Sequence, residues 1–156
     1  MATEPNPPSL VGEGGARSEL GERIVAVART WIGTPYVHQA SVKGAGCDCL
    51  GLLRGVWREL RGGEPQSVPP YGREARGEET LLHAFRRHLT EIPPAALGPG
   101  DVALFRMAPH GPARHCAVVA ENRGAPTLIH CRANGRVAEE AFTPAWRRRL
   151  SHAFRI

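Results

Sequence analysis

The chain of 156 residues contains four cysteines and seven histidines, the side chains best suited to nucleophilic or metal chemistry. The cysteines are Cys47, Cys49, Cys116 and Cys131. Three explanations compete for them: disulfide bonds, a zinc site and a nucleophilic thiol. Their even number is compatible with disulfides. The N-terminal residues, however, lack the basic and apolar segments of a signal peptide, which favours the reducing cytoplasm, where disulfides are rare.

A zinc site would combine Cys47 and Cys49 with the two His-Cys dipeptides at 115–116 and 130–131. One residue between the first two cysteines is shorter than the roughly two to four residues usual between zinc ligands. Adjacent residues of a strand also point to opposite faces, so the two members of a dipeptide cannot both reach one metal without distortion. We therefore expect no metal ion and no cofactor.

A nucleophilic thiol is the third explanation, and Cys49 is its best candidate. Asp48 is a favourable N-cap, and the sequence predicts a helix from Cys49 to about Leu60 that ends at Gly62. Free amide groups and the helix dipole favour a thiolate at such a position. A nucleophilic cysteine also needs a histidine base and a group that orients it, both distant in sequence.

His115 and His130 are placed to supply these groups, since they lie in two successive predicted strands. If residues 121 and 126 close the hairpin, the two histidines become diagonal neighbours on one face, within about 7–8 Å. A tighter loop, closed by residues 121 and 124, would place them directly opposite each other, whereas a register shifted by one residue would place them on opposite faces. If the two histidines share one face, the cysteine that follows each of them points to the other face, towards the core.

Hydrophobic periodicity predicts helices first and strands afterwards, the pattern of an α+β fold. Besides the helix at Cys49, helices are predicted over 18–32 and 78–89. Gly51 and Gly55 lie four residues apart and would let another element approach the middle helix closely. Five strands are predicted, at 102–107, 115–121, 127–133, 136–142 and 150–156, with a hairpin turn at Asn134-Gly135.

The length fits one domain of about 150 residues. Residues 1–17 are rich in proline and glycine and are predicted to be a flexible arm, which leaves 18–156 as a single domain. With 42% hydrophobic and 22% charged residues, the composition excludes a fully disordered chain. The apolar runs are far shorter than the about 20 residues of a transmembrane helix, so no membrane insertion is expected.

The net charge is +5, and all basic residues except Lys43 are arginine. They are scattered, apart from the run at 147–149, and do not alternate with aromatic residues. We therefore expect no nucleic-acid partner. The arginine run is either a solvated face or a docking surface for a partner protein or an anionic wall polymer.

Four segments, in order, resemble the NlpC-type cell-wall cysteine peptidases, a papain-like family: WIGTPY at 31–36, DCLGL at 48–52, PGDVALF at 99–105 and HCAVV at 115–119. The resemblance extends from about residue 19 to residue 141. It implies N-terminal helices packed on a C-terminal antiparallel sheet of about five strands. The version CDCLG at 47–51 is most similar to the phage cell-wall peptidases of tailed-phage and gene-transfer-agent tail clusters.

The resemblance also implies roles for individual residues. Cys49 would be the nucleophile, His115 the general base, and His130 the polar residue that orients the base. The backbone amide of Cys49 and the hydroxyl of Tyr36 would stabilise the oxyanion. Asp48 would bind the free amine of the substrate besides capping the helix.

The implied activity is that of a cysteine endopeptidase acting on peptidoglycan stem peptides, at the γ-D-glutamyl to diaminopimelate bond. His38 and Gln39 either line the substrate groove or are plain loop residues. Most members of the family carry serine after the nucleophile, where this chain has Leu50, so the peptide preference stays open.

The resemblance and the missing signal peptide together suggest how such an enzyme would reach its substrate. We expect synthesis in the cytoplasm and assembly into a phage-like tail tip, with tail-hub proteins as partners and the cell wall of a target cell as the place of action. The alternatives are a structural tail component with a vestigial site, and a thiol amidase or acyltransferase of the same fold.

Overall fold

The structure is a computed structural model that describes residues 11–72 and 78–156. Its helices are α1 (Val11–Arg29), α2 (Cys49–Arg61), α3 (Thr80–His88) and α4 (Pro144–Arg149). Its strands are β1 (Ser41–Val42), β2 (Gly46–Cys47), β3 (Thr90–Ile92), β4 (Val102–Arg106), β5 (Ala113–Asn122), β6 (Ala125–Cys131), β7 (Val137–Ala141) and β8 (Leu150–Arg155). In this part of the chain, no helix has the length and apolar character needed to cross a membrane.

Strands β3 to β8 form one antiparallel sheet in the order β3-β8-β4-β5-β6-β7, and β1 pairs with β2 separately. The predicted α+β architecture is confirmed, with six strands in the main sheet. All five predicted strands are present, and the hairpin at Asn134-Gly135 joins β6 to β7. The sixth strand, β3, has three residues and is too short to show a periodic pattern in the sequence.

Four other elements differ from the prediction. Helix α1 begins at Val11, so residues 11–17 of the predicted arm are helical, whereas residues 1–10 lie outside the described part of the chain. No proline follows Pro8 before Ser18, so nothing there blocks helical backbone. Strands β1 and β2 form a short antiparallel pair between α1 and α2, where no strand is predicted. Helix α4 was missed, although its signal is present: Thr143 caps it, and proline follows.

The two faces of the main sheet are covered differently. On one face, α1 and α2 pack against β5 and β6 through the largest group of buried side chains: Ile24, Val25, Ala28, Trp31, Leu52, Val56, Val118 and Ile129. On the other face, Phe105, Leu128 and Phe142 pack beneath Trp146 of α4. Because alternate residues of a strand point to opposite faces, β5 and β6 contribute side chains to both layers.

Helix α2 lies close to its neighbours because of two glycines. A Cβ atom on Gly55 would lie 2.0 Å from the ring of Trp31, and one on Gly51 would lie 1.9 Å from the carbonyl oxygen of Ala40. Trp31 is 2% exposed, so its ring has no free space to move into. The expected close approach at the two glycines is therefore present, and it fixes α2 against the segments before it.

Substitution of Gly55 by alanine should destabilise the fold, because the added methyl group would overlap the buried ring of Trp31. We expect the free energy of unfolding to fall by about 1–3 kcal/mol. Gly63 provides the matched control, since a Cβ atom there meets nothing within 4 Å. Urea denaturation of Gly55→Ala and Gly63→Ala checks this expectation, and equal stability of the two variants would contradict it.

Candidate active site

Cys49 is the first residue of α2 and lies at the wall of a cleft of about 900 Å³. Asp48 caps the helix: its Oδ1 accepts a hydrogen bond of 2.7 Å from the backbone N–H of Gly51. The N–H groups of a first helical turn have no partner within the helix. The cap therefore places a half-buried thiol beside a backbone N–H that has no partner within the helix.

The surroundings of Cys49 favour its ionised form. The pKa of the Cys49 thiol is held well below its usual range, first by a side-chain hydrogen bond with Cys116 and then by one with His115, against the opposing effect of burial. The pKa of Cys116 is raised well above its usual range, because its bond to Cys49 favours the thiol form. Cys116 thus remains the protonated donor, and Cys49 is the member of the pair that loses its proton.

His115 and His130 are in direct contact. Strands β5 and β6 pair in the first of the registers considered from the sequence, with Val118 opposite Ile129 and Glu121 opposite Pro126. Nε2 of His115 lies 2.8 Å from Nδ1 of His130. The predicted contact between the two histidines is therefore confirmed.

Two residues that the sequence analysis did not single out complete the surroundings of the histidines. Nε2 of His130 lies 2.6 Å from Oε1 of Glu140, on β7. Trp146 stacks on His115 with ring centroids 5.5 Å apart and meets His130 edge-on at 5.1 Å. His130 is 1% exposed. The alternation of β7 could have placed Glu140 on the histidine face, whereas Trp146 reaches it through the unpredicted helix α4.

Burial determines the charge of His130. The pKa of its imidazole is lowered to about 4, first by desolvation and then by the nearby His115, although Glu140 acts in the opposite direction. His130 is therefore neutral at neutral pH and carries one ring proton. A neutral ring can donate one hydrogen bond and accept one, which matches its two partners.

The predicted groove residues His38 and Gln39 lie beside Asp48 and are organised by Tyr71. Nε2 of His38 is 2.8 Å from the backbone oxygen of Tyr71, and the side-chain amide of Gln39 donates to the same oxygen. The hydroxyl of Tyr71 donates to Oδ2 of Asp48, which also accepts the N–H of Gln39 at 2.8 Å. His38 and Tyr71 line the cleft, whereas Gln39 supports them from outside the lining.

Tyr36 lies on the same cleft wall as Cys49. Its backbone N–H donates to the oxygen of Gly135 at 2.9 Å, and Tyr36 bridges to Cys47 of β2. The structure thus brings to one region the seven residues that the sequence analysis connects with catalysis or substrate binding: Tyr36, His38, Gln39, Asp48, Cys49, His115 and His130. Their roles in binding and catalysis remain predictions.

The other three cysteines are buried and free of disulfides. Cys116 and Cys131 face the core as expected, and each thiol donates to a backbone oxygen at 3.4 Å, of Cys49 and Cys47 respectively. Among residues 11–72 and 78–156, no group of three or more His, Cys, Asp or Glu side chains is placed to hold a metal ion.

Comparison with solved structures shows what the fold is. The chain is similar to the NlpC/p60 domain of the peptidoglycan hydrolase SagA, with 23% identity, a TM-score of 0.61 and coverage of 87% of this chain and 98% of that one. It is similar to the peptidoglycan hydrolase RipB of Mycobacterium tuberculosis, with 18% identity, a TM-score of 0.61 and coverage of 99% and 74%.

A third similar structure is an NlpC/P60 family protein from Bacillus cereus, with 20% identity and a TM-score of 0.60. The match covers 86% of this chain but 39% of that one. No protein-family model matches the sequence, and no curated protein matches it. The fold is therefore the papain-like fold of NlpC/p60 domains, as the sequence motifs predicted.

The lowered pKa of Cys49 predicts selective alkylation at mildly acidic pH. A thiol with its ordinary pKa loses about tenfold in reactivity per pH unit below that value. Because the pKa of Cys49 lies well below the usual range, its modification by iodoacetamide should decline less between pH 8 and pH 6 than that of an ordinary thiol, as measured by peptide mass spectrometry.

Two variants test the cause of this reactivity. Cys116→Ala should move the pH profile of Cys49 alkylation upwards, because it removes the hydrogen bond that lowers the pKa most. Cys131→Ala is the matched control, a buried cysteine of the neighbouring strand that contacts Cys47 instead. Identical profiles in the two variants would contradict the assignment.

Proposed function

We propose that the protein is a cysteine endopeptidase that cleaves the stem peptides of peptidoglycan. The observation that carries this proposal is that Cys49, at the N-terminus of α2, and His115 line the same large cleft, with His115 in direct contact with His130. A nucleophile, a base and a group that orients the base are the parts that thiol catalysis requires. The fold shared with peptidoglycan hydrolases such as SagA and RipB supports the choice of substrate.

The first half of the reaction forms a thioester. The Cys49 proton passes to His115, and the thiolate attacks the peptide carbonyl carbon to form a C–S bond and a tetrahedral oxyanion. When the oxyanion collapses, the C–N bond breaks. The leaving nitrogen takes the proton from His115 and departs as an amine.

The second half restores the enzyme. Water gives a proton to His115 as its oxygen attacks the thioester carbon, and the resulting oxyanion collapses with cleavage of the C–S bond. The proton held by His115 then returns to the Cys49 sulfur or remains in the ion pair. The products are one carboxylic acid and one amine, and no metal takes part in any step.

Oxyanion stabilisation is assigned to the backbone N–H of Cys49 and the hydroxyl of Tyr36. The N–H is available because it belongs to the first turn of α2. Asp48 is assigned to the amine of the substrate. Its Oδ2 already accepts from Tyr71 and Gln39, so an incoming ammonium group would share or replace the Tyr71 hydrogen bond.

The bond that we propose is the one between γ-D-glutamate and diaminopimelate. Its support is the resemblance of the segments at 31–36, 48–52, 99–105 and 115–119 to NlpC-type peptidases. The leucine after the nucleophile, Leu50, is half-buried and lines the cleft. An apolar side chain at this point removes a hydroxyl donor from the groove and would favour substrates that present an apolar group there.

Digestion of purified diaminopimelate-type peptidoglycan tests the proposed activity. The wild-type protein should release a defined stem fragment, and Cys49→Ala should release none, because the nucleophile is gone. Mass spectrometry of the products identifies the bond, and Cys131→Ala controls for the loss of a buried thiol.

Two negative results are informative. If the wild type cuts nothing although Cys49 is alkylated rapidly at pH 6, the site is active on another substrate, as in an amidase or acyltransferase. If the wild type cuts nothing and Cys49 is unreactive, the structural alternative with a vestigial site replaces the proposal.

We also propose that the enzyme acts from a phage-like tail tip. The support is the similarity of residues 47–51 to the phage cell-wall peptidase subgroup. Gel filtration of particles from the source cells, with detection by antibody, should find the protein in the particle fraction. Recovery of all of the protein in the tail-free fraction would contradict this assembly.

A further inference from the structure

Glu140 is the end of a line of hydrogen bonds that starts at His115. Leu128 pairs with Glu140 and His130 pairs with Ala138, so Glu140 and His130 share one face of the β6-β7 ladder. Oε1 of Glu140 lies 2.6 Å from Nε2 of His130, whose Nδ1 lies 2.8 Å from Nε2 of His115. The side chains of His130 and Glu140 thus form a hydrogen bond between β6 and β7.

The carboxylate determines where the proton of His130 resides. An ionised carboxylate accepts hydrogen bonds and cannot donate them, so Nε2 of His130 must be the donor in its contact with Glu140. A neutral imidazole has one N–H, which leaves Nδ1 of His130 as an acceptor. His115 must therefore donate its Nε2 proton to His130.

The consequence for His115 concerns its other ring nitrogen. With Nε2 protonated, Nδ1 of neutral His115 carries the lone pair and is the atom that can take the Cys49 proton. When His115 takes up a second proton and becomes an imidazolium, its Nε2–H still donates the same hydrogen bond to His130. Proton transfer at Nδ1 thus requires no rearrangement at Nε2.

We propose that Glu140 is a positioning residue that sets the tautomers of His130 and His115 and so keeps Nδ1 of His115 basic. The proposal deepens the proposed function and rests on it. Without an acceptor at 140, the His130 proton can move to Nδ1 and be donated to His115. The His115 proton would then occupy Nδ1, and the base would be blocked.

Other groups near Glu140 do not replace it. Nη1 of Arg132 lies 3.6 Å from Oε2 of Glu140, but Arg132 is a donor only, and its side chain is 65% exposed. Trp146 stacks on His115 and meets His130 edge-on, and the guanidinium of Arg149 lies 5.8 Å from the centroid of the Trp146 ring. Among the described residues, Arg132 is thus a further charged group beside Glu140, and Cys49 is the titratable group that acts on His115 at the other end of the line.

The ring tautomer can be measured directly in the wild-type protein. ¹⁵N-detected histidine spectra distinguish Nε2–H from Nδ1–H, and the His130 signals can be assigned by their absence in His130→Asn. We expect His130 to carry its proton on Nε2 and His115 to show a protonated Nε2. A proton on Nδ1 of His130 in the wild type would overturn the proposal without any variant of Glu140.

Substitution of Glu140 tests the effect on reactivity. Glu140→Ala should lower kcat on peptidoglycan fragments about 10²-fold with little change in KM, and slow Cys49 alkylation at pH 6 about tenfold. Glu140→Gln should recover part of both, because its amide oxygen can still accept from His130. The matched control is Glu139→Ala, at the neighbouring position of β7. This substitution breaks the contacts of Glu139 with Arg29 of α1 and Thr127 of β6.

The two readouts separate the two proposals. The alkylation rate and the ring tautomer need no substrate, so they test Glu140 even if the wild type does not cleave peptidoglycan. An unchanged tautomer and an unchanged alkylation profile in Glu140→Ala would overturn the role of Glu140. An equal loss in Glu139→Ala would also overturn it, because the effect would then come from general damage to β7.

Discussion

The pairing register of β5 and β6 is the constraint on which the candidate site depends. Side chains alternate between the faces of a strand, so a slip by one residue would move His115 and His130 to opposite sides of the sheet. The observed register, with Glu121 opposite Pro126, instead places their rings in contact. The same register buries Cys116 beside the nucleophile, where it lowers the pKa of Cys49.

The position of the nucleophile is fixed by backbone contacts around α2. Asp48 accepts the N–H of Gly51, and the absence of side chains at Gly51 and Gly55 lets Ala40 and Trp31 pack directly against the helix. A dense interior does not allow such a helix to shift, because any displacement would open voids or cause overlaps. The first turn of α2 is thereby held against β5, where Sγ of Cys49 lies 3.7 Å from the backbone oxygen of Arg114.

The polar groups of the site are placed in an otherwise apolar setting. His130 is almost fully buried, yet both of its ring nitrogens have partners, so the cost of desolvation is offset by hydrogen bonds. Trp146 packs against both imidazole rings, and Phe105 packs against that of His115. A low local dielectric strengthens the interaction between a thiolate and an imidazolium, which is the condition that thiol catalysis needs.

The sequence by itself determined the α+β order, the five longer strands and the helix that begins at Cys49, and it offered the histidine contact as one of several registers, among which the tertiary structure decided. These features follow from periodicity, capping and turn residues, which act over short distances. Only the tertiary structure decided that Glu140 ends the line of hydrogen bonds, that Trp146 covers the histidines and that Tyr71 holds Asp48. Those contacts join elements far apart in the chain, and local patterns do not encode which distant side chains will meet.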